Sequence, residues 1–461
     1  MMARETDGVL VLRDPIRQSE HRLNAVAAYI WRRCDGRRDA RSIAADVAAH
    51  YRRPLTDVSA DVARVLATFA SAGIVRRASG PRREIDLLLH CVRLAVGTDR
   101  PGESPLPGGV GGTIDWNDIL QTAYEHGVLP LLHCGLSHED LPPVVLERLQ
   151  STVDTIRTHN RRLLEELALV LDEMERKGIG ALSLKGPIFA RIAYGDVRLR
   201  SFADLDVFVR PFQAQEAIEI LRGRGYRLRP GTNHDGHVEL WRPADGVHVD
   251  LQWTLAPRRF RSLPRLDDLW SRLERVHVGE MVVWQPPPCD QLTFLCGHGA
   301  KHCWSRLQWI ADVAAYVRRV DDRVDWCDVL AQAVRAGGAR QLLLGMHLAG
   351  ELLGASVPAV LARAVCDDHA VAPLARELRD RLFDSVEAPQ RFQGSYGPYR
   401  GGFLYVRTRE RLRDRVPYLA HLALRPVQRL RAKAIAAAYH AVHARWMRAA
   451  EQARRISVPP V

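Results

Sequence analysis

The chain has 461 residues, 47% hydrophobic and 26% charged, with a formal charge of +12. That composition is ordinary for a globular protein of roughly two to four domains. No apolar segment follows the opening MMARETDG, so no secretory signal is expected; residues 342–361, the most apolar helical stretch, are broken by His347, Glu351 and Pro358, which excludes a membrane span.

The eight cysteines (Cys34, Cys91, Cys134, Cys289, Cys296, Cys303, Cys327 and Cys366) form no CxxC pair. Structural zinc wants closely spaced ligands, so buried free thiols in a reducing cytoplasm are expected. The positive charge invites a polyanion partner. Nearly all of it is arginine, however, and with the heavy alanine usage this reflects GC-rich codons. The only lysines are Lys177, Lys185, Lys301 and Lys433. Each is the more informative because arginine would be the cheap substitute.

In chain order, residues 8–13 (GVLVLR) alternate as a short strand does, and residues 25–33 place Val26, Ile30 and Trp31 on one helical face. After an Asp35-Gly36 turn, Ser42 is the expected cap of a helix reaching Tyr51. Thr56 or Asp57 is the expected cap of a third, which carries Val58, Val62, Val65, Leu66 and Phe69 on one face. The result is a hairpin with three helices. Its LN and DG pairs and their spacing, over residues 8–77, resemble the peptide-chaperone (PqqD-like) family of pyrroloquinoline quinone biosynthesis. The resemblance implies a winged-helix module that binds leader peptides of ribosomally made, modified peptides. An unrelated winged helix used for docking or nucleic acid is the alternative.

Residues 82–97 read as a helix, and the Pro/Gly-rich run 99–113 as a linker. Helical patterning returns at 115–134 and from 141 to 177, ended by Gly178 and Gly180. From Ala181 the pattern becomes strand–helix–strand, then a helix over 214–224 and strands near 226–228, 237–241 and 247–253. After Pro264 the chain is expected to be mostly helical.

Nucleotidyl transfer with divalent ions needs carboxylates that point one way from a rigid element. Asp204-Leu205-Asp206 offers this on a strand, where period two puts both acids on one face and Leu205, Val207 and Val209 behind. Asp250, in HVDLQW, sits on a second apolar strand and could complete the set from the neighbouring position. Lys185 and Gly186 end a strand and open a helix, with Pro187 in its first turn, a place suited to phosphate. Arg198, Arg200 and Ser201 precede the aspartates and could reach the same phosphates.

Residues 183–209, SLKGPIFARIAYGDVRLRSFADLDVFV, resemble the uncharacterised nucleotidyltransferase family of the DNA polymerase β superfold. The resemblance continues through VDLQW and residues 294–317 and covers most of 115–430. It implies that Asp204 and Asp206 bind metal, that Asp250 is the third acid, and that the helical part closes over the nucleotide. Gln252 stands where that family commonly has histidine.

His298, Lys301, His302 and Ser305 recur at helical spacing from a helix beginning near Cys289. The face they share can turn to the nucleotide, with Lys301 on phosphate; it can pack the helical part; or the HxxxH pair can ligate zinc. From Arg407 the chain is crowded with arginine (Arg409, Arg411, Arg413, Arg415, Arg425, Arg429, Arg431), either a solvated amphipathic helix or a grip on RNA or an anionic surface.

The expectation is an α+β protein: a winged-helix-like peptide-recognition module (1–80), a helix and linker (81–114), a polymerase β-type nucleotidyltransferase core with a mixed sheet (115–260), and a helical C-terminal part with a basic tail (261–461). It would be a cytoplasmic, Mg2+- or Mn2+-dependent enzyme that transfers from an NTP to a precursor or leader peptide. A toxin-like RNA or tRNA nucleotidyltransferase and a non-catalytic peptide-binding scaffold are the alternatives.

Overall fold

The computed structural model describes residues 2–6, 9–14, 19–34, 38, 40–72, 74–75, 83–99, 114–136, 141–229, 236–255, 266–384 and 402–420. Near the N-terminus, β1 (Met2–Thr6), β2 (Val9–Asp14) and β3 (Ser19–Leu23) form an antiparallel sheet with β2 in the middle. Three helices follow: α1 (Ala25–Trp31), α2 (Ala40–Tyr51) and α3 (Leu55–Ser71). They close on the sheet through a core of their own, with Leu12, Ile30, Ile43, Val62 and Phe69 buried.

The expected caps move. Ser42 lies inside α2, while Thr56 and Asp57 sit in the first turn of α3 after a Pro54 N-cap. Val26 is exposed, because the buried face of α1 runs through Ala28, Ile30 and Trp31. The Asp35-Gly36 turn and most of the 99–113 linker lie outside the described residues.

Helices α4 (Arg83–Val96), α5 (Trp116–Glu125) and α6 (Leu129–Gly135) lead to α7 (Pro143–Arg176), 34 residues long. Asp115 caps α5 by accepting from the Asn117 and Asp118 N–H groups. A mixed sheet follows. Its strands are β4 (Ala181–Leu182), β5 (Leu205–Val209), β6 (Arg227–Leu228), β7 (His237–Trp241), β8 (His248–Gln252), β9 (Glu274–Val278) and β10 (Met281–Gln285), in the order β6-β7-β8-β5-β4-β10-β9. Helix α8 (Gly186–Tyr194) joins β4 to β5, and α9 (Ala214–Gly223) follows β5.

The hairpin β9–β10 departs from the expectation of helix after Pro264. Residues 274–285 alternate about a two-residue Gly279-Glu280 turn, and Gly279 takes the positive φ (66°) that such a turn needs. β10 pairs in parallel with β4, so the sheet extends beyond residue 260.

One face of the sheet is apolar: Leu205, Val207, Val209, Val249 and Leu251 pack with Leu167 and Val170 of α7 and Ile218 and Leu221 of α9. The other face turns toward the helical part, made of α10 (Leu266–Trp270), α11 (Pro288–Lys301), α12 (Leu307–Val320), α13 (Trp326–Ala336), α14 (Ala339–Leu353), α15 (Ala359–Asp367), α16 (Val371–Asp384) and α17 (Gly402–Arg407). A further helix spans 412–420. Among the described residues, no helix is long and apolar enough to cross a membrane. All eight cysteines are free, but the expectation of burial holds fully only for Cys91 and Cys296; Cys134, Cys327 and Cys366 are exposed.

Candidate functional site

Alternation along β5 decides the site. With Leu205, Val207 and Val209 committed to the apolar layer, Asp206 and Phe208 must point to the opposite face. On the parallel neighbour β8, Asp250 is the register partner of Asp206, and Gln252 that of Phe208. Glu239 of β7 is the partner of Asp250 in turn, so three acids lie abreast on three strands. Asp206 and Asp250 are both buried, at 3% and 5% exposure. Asp204 lies on a bend just before β5 rather than on the strand, and it is exposed at the rim.

Two donors hold the buried acids. The Gln252 amide donates to Asp206 Oδ1 at 2.8 Å and to Asp250 Oδ2 at 2.9 Å. The Lys185 ammonium lies 2.8 Å from Asp206 Oδ1. Burial works against that ammonium, but Asp206, Asp204 and Asp250 more than offset it and hold its pKa above the ordinary lysine value. Asp204 moves the other way: crowding by protein, then the adjacent Asp206 charge, raises its carboxyl to about 6.

Lys185 is the N-cap of α8. Gly186 adopts φ +71°, which a side chain would strain, yet a Cβ there would meet nothing within 4 Å. The loop before it is pinned from inside. Gln285 donates to the Ser183 carbonyl (3.3 Å), Gln291 to that of Leu184 (2.8 Å), and Ser183 Oγ to that of Lys185 (2.8 Å). In a trans peptide the N–H opposes the C=O, so the Lys185 and Gly186 N–H groups point away from these anchors.

The arginines go elsewhere. Arg200 is buried and gives both donor edges to Asp312 of α12, Nε to Oδ1 at 2.8 Å and a terminal nitrogen to Oδ2 at 2.9 Å. The Tyr194 hydroxyl donates to the same Asp312 Oδ1 at 2.8 Å. Arg200 thus latches the segment before Asp204 onto α12 instead of projecting toward phosphate. Arg198 is exposed and clasps Asp196 two residues away. The Ser201 carbonyl accepts from Gln308 at 2.9 Å, and buried Asn160 of α7 donates to the carbonyls of Val197 and Arg200.

His298 and Lys301 ride on α11, His302 is its C-cap, and Ser305 falls beyond it, because the helix ends in a tight turn. The two imidazoles sit with ring centroids 4.7 Å apart. Burial first, then the positive charges of Lys185 and Lys301, keep both far below the ordinary histidine pKa and therefore neutral at pH 7. Phe294, which meets Phe208 on the acid-bearing face of the sheet, stacks on His298 and so ties this turn to that side.

Among the described residues, no group of three His, Cys, Asp or Glu side chains is gathered tightly enough to cage a metal ion by itself. The donor set nevertheless suits a hard cation of the magnesium type, which binds through one or two carboxylates and takes the rest of its shell from phosphate and water. Desolvation first, and the adjacent Asp206 charge second, raise the Asp204 pKa, and a bound cation would counter both.

Sequence reasoning marked Gln252 as a departure from the family pattern but gave it no role, although period two from Asp250 marks it as sharing that face. It missed Gln285, Gln291 and Gln308, each a buried amide in an apolar run, and Asp312.

Residues 112–354, more than half of the chain, match the model of a family described as uncharacterised nucleotidyltransferase. Residues 10–75 match that of coenzyme PQQ synthesis protein D (PqqD). No curated protein matches the chain.

Proposed function

The chain belongs to the uncharacterised nucleotidyltransferase family, and on that premise we propose that it moves a nucleotidyl group from a nucleoside triphosphate to a peptide held by its N-terminal module. The observation that carries this reading is the pairing of Asp206 with Asp250 across adjacent parallel strands, with Lys185 at the mouth of α8 beside them. Magnesium or manganese held by one or two of Asp206, Asp250 and Asp204, and otherwise by phosphate and water, would offset the charge that develops on the phosphates.

The chain's own groups do the rest. Lys185 and the first-turn N–H groups of α8 hold the triphosphate. A hydroxyl or amine of the acceptor bonds to the α-phosphorus. The bond from that phosphorus to the bridging oxygen breaks, and pyrophosphate leaves with the electron pair. The acceptor's proton passes to the Asp250 carboxylate. Positioning and fixed charge supply the rate.

A peptide acceptor is favoured over RNA by what the C-terminal arginines contact. Arg409 is fully buried, Arg411 donates to the carbonyls of Val334 and Arg335, and Arg415 donates to that of Arg409. Those side chains are turned to the protein, whereas Arg413 is exposed; Arg425, Arg429 and Arg431 lie outside the described residues. Intact metal-type aspartates argue against a scaffold without turnover.

The test supplies α-labelled NTP and magnesium with two acceptors, a candidate precursor peptide and tRNA. Label retained on the peptide is the expected result. Label retained only on tRNA replaces this reading with the RNA-modifying one.

A further inference from the structure

A ladder of aromatic rings starts on the sheet face that carries the acids. Phe208, two residues beyond Asp206 and so on the same face, meets Phe294 of α11 edge-on at 6.1 Å. Phe294 stacks on His298 at 6.0 Å, His298 lies 4.7 Å from His302, and His302 lies 4.9 Å from Trp309. The inner end is sealed, for Phe208 is fully buried, whereas His298, His302 and Trp309 are only half-buried.

Trp309 is tied to the segment before Asp204 from both sides in sequence. Gln308 holds the Ser201 carbonyl, and Asp312, three residues on along the same helical face, holds Arg200. Both contacts fall within four residues of Asp204. The turn between His302 and Trp309 is also strained: Cys303 and Trp304 both take left-handed backbone, φ 50° and 49°. Such strain persists only where surroundings enforce it, and it concentrates at ligand clamps. Here the enforcement is the buried Trp304 indole, which fills notches left by Gly299 and Gly345; a Cβ on either would come within 3 Å of that ring.

Resting on the reading of the carboxylate cluster as a metal–nucleotide site, we propose that Trp309 and His302, backed by His298, form the platform on which the nucleobase stacks. The phosphates would lie at Lys185 and Gly186 and the base against the rings, so this platform sets base preference while the acids and Lys185 set phosphate affinity. The uncharged His302 imidazole is inclined by 33° to the Trp309 indole, and base-on-ring stacking on such faces tolerates any base but favours those with larger faces. Purine nucleotides are therefore the preferred class.

Calorimetry on the full chain, with magnesium complexes of ATP, GTP, CTP, UTP and inorganic tripolyphosphate, tests this. The wild type should bind purine NTPs more tightly than tripolyphosphate. Trp309→Ala should lose roughly tenfold of that advantage and leave tripolyphosphate binding unchanged. Trp309→Phe should keep most of the advantage, and Trp309→Leu, which preserves apolar bulk for folding, should lose it as the alanine variant does. A wild type that binds NTPs no better than tripolyphosphate, or a leucine variant with undiminished preference, overturns the platform alone. A wild type that binds neither overturns the metal–nucleotide reading and the platform with it.

Discussion

The proposed reaction gives Lys185 two duties at one atom. In the structure its ammonium neutralises Asp206 at 2.8 Å, and it stands at the opening of α8, where phosphate is expected. A compact ammonium can change partners by a small rotation; a planar guanidinium cannot do so in the same space. Lys185→Arg should weaken Mg–NTP binding, and Lys185→Ala should weaken it about tenfold or more, the worth of a charge-assisted hydrogen bond. Unchanged calorimetric affinity in both variants would make the lysine purely structural. At this scale strand alternation put Asp206 and Asp250 on one face, whereas Asp204, expected on the strand with Asp206, lies on the bend before it. The sequence was a poor guide to the arginines: nothing in R-x-R-S reveals that Arg200 has a buried carboxylate waiting 112 positions away in Asp312. Gln252 was legible as a position but not as a donor bridging two carboxylates, since that depends on the β5–β8 register.

Between elements, two charged clusters hold the frame. The Arg200–Asp312 latch joins the segment before β5 to α12, and both partners are buried. Removing one charge strands the other, so Asp312→Asn should cost about 3 kcal/mol in urea unfolding. A loss near zero would show that the latch is not a structural tie. On the apolar side of the sheet, Glu166 of α7 accepts from Arg224, Arg242 and the Tyr226 hydroxyl. Burial opposes its charge, but the two guanidinium groups prevail and hold its pKa below the ordinary 4.5. A depressed carboxylate contributes stability above its unfolded pKa and loses it as pH falls through the folded value. Glu166→Gln should therefore cost about 2 kcal/mol at pH 7, and its deficit against the wild type should shrink below about pH 4.5. A deficit constant from pH 7 to pH 3 would contradict that role. Long helices such as α7 were legible from periodicity. The β9–β10 hairpin was not, because its strands are short, and only the Gly279-Glu280 turn distinguishes residues 274–285 from a helix edge.

Across the whole molecule the proposal joins a small recognition module to a transfer site. The module has its own core, so the fragment 1–80 should fold alone. β3 is an edge strand, and most of α3 is solvent-exposed with only Val62 and Phe69 of its apolar face fully buried. A leader peptide would add as a strand beside β3, with main-chain bonds giving affinity and alternate side chains giving specificity. His21 and Arg22 on that strand favour acidic segments. NMR titration of fragment 1–80 with a candidate leader should shift amides along β3 and α3, and shifts produced only by RNA would point to the other acceptor.

The central claim is that Asp206 and Asp250 carry nucleotidyl transfer, and pyrophosphate release tests it most directly. With saturating NTP, magnesium and acceptor, the wild type should release one pyrophosphate for each α-phosphate incorporated. Asp206→Asn keeps the side chain's shape but removes the hard anion, and should abolish that release while the melting profile stays cooperative. Release at the wild-type rate from folded Asp206→Asn, or incorporation of the γ-phosphate in place of the α-phosphate, would contradict the account.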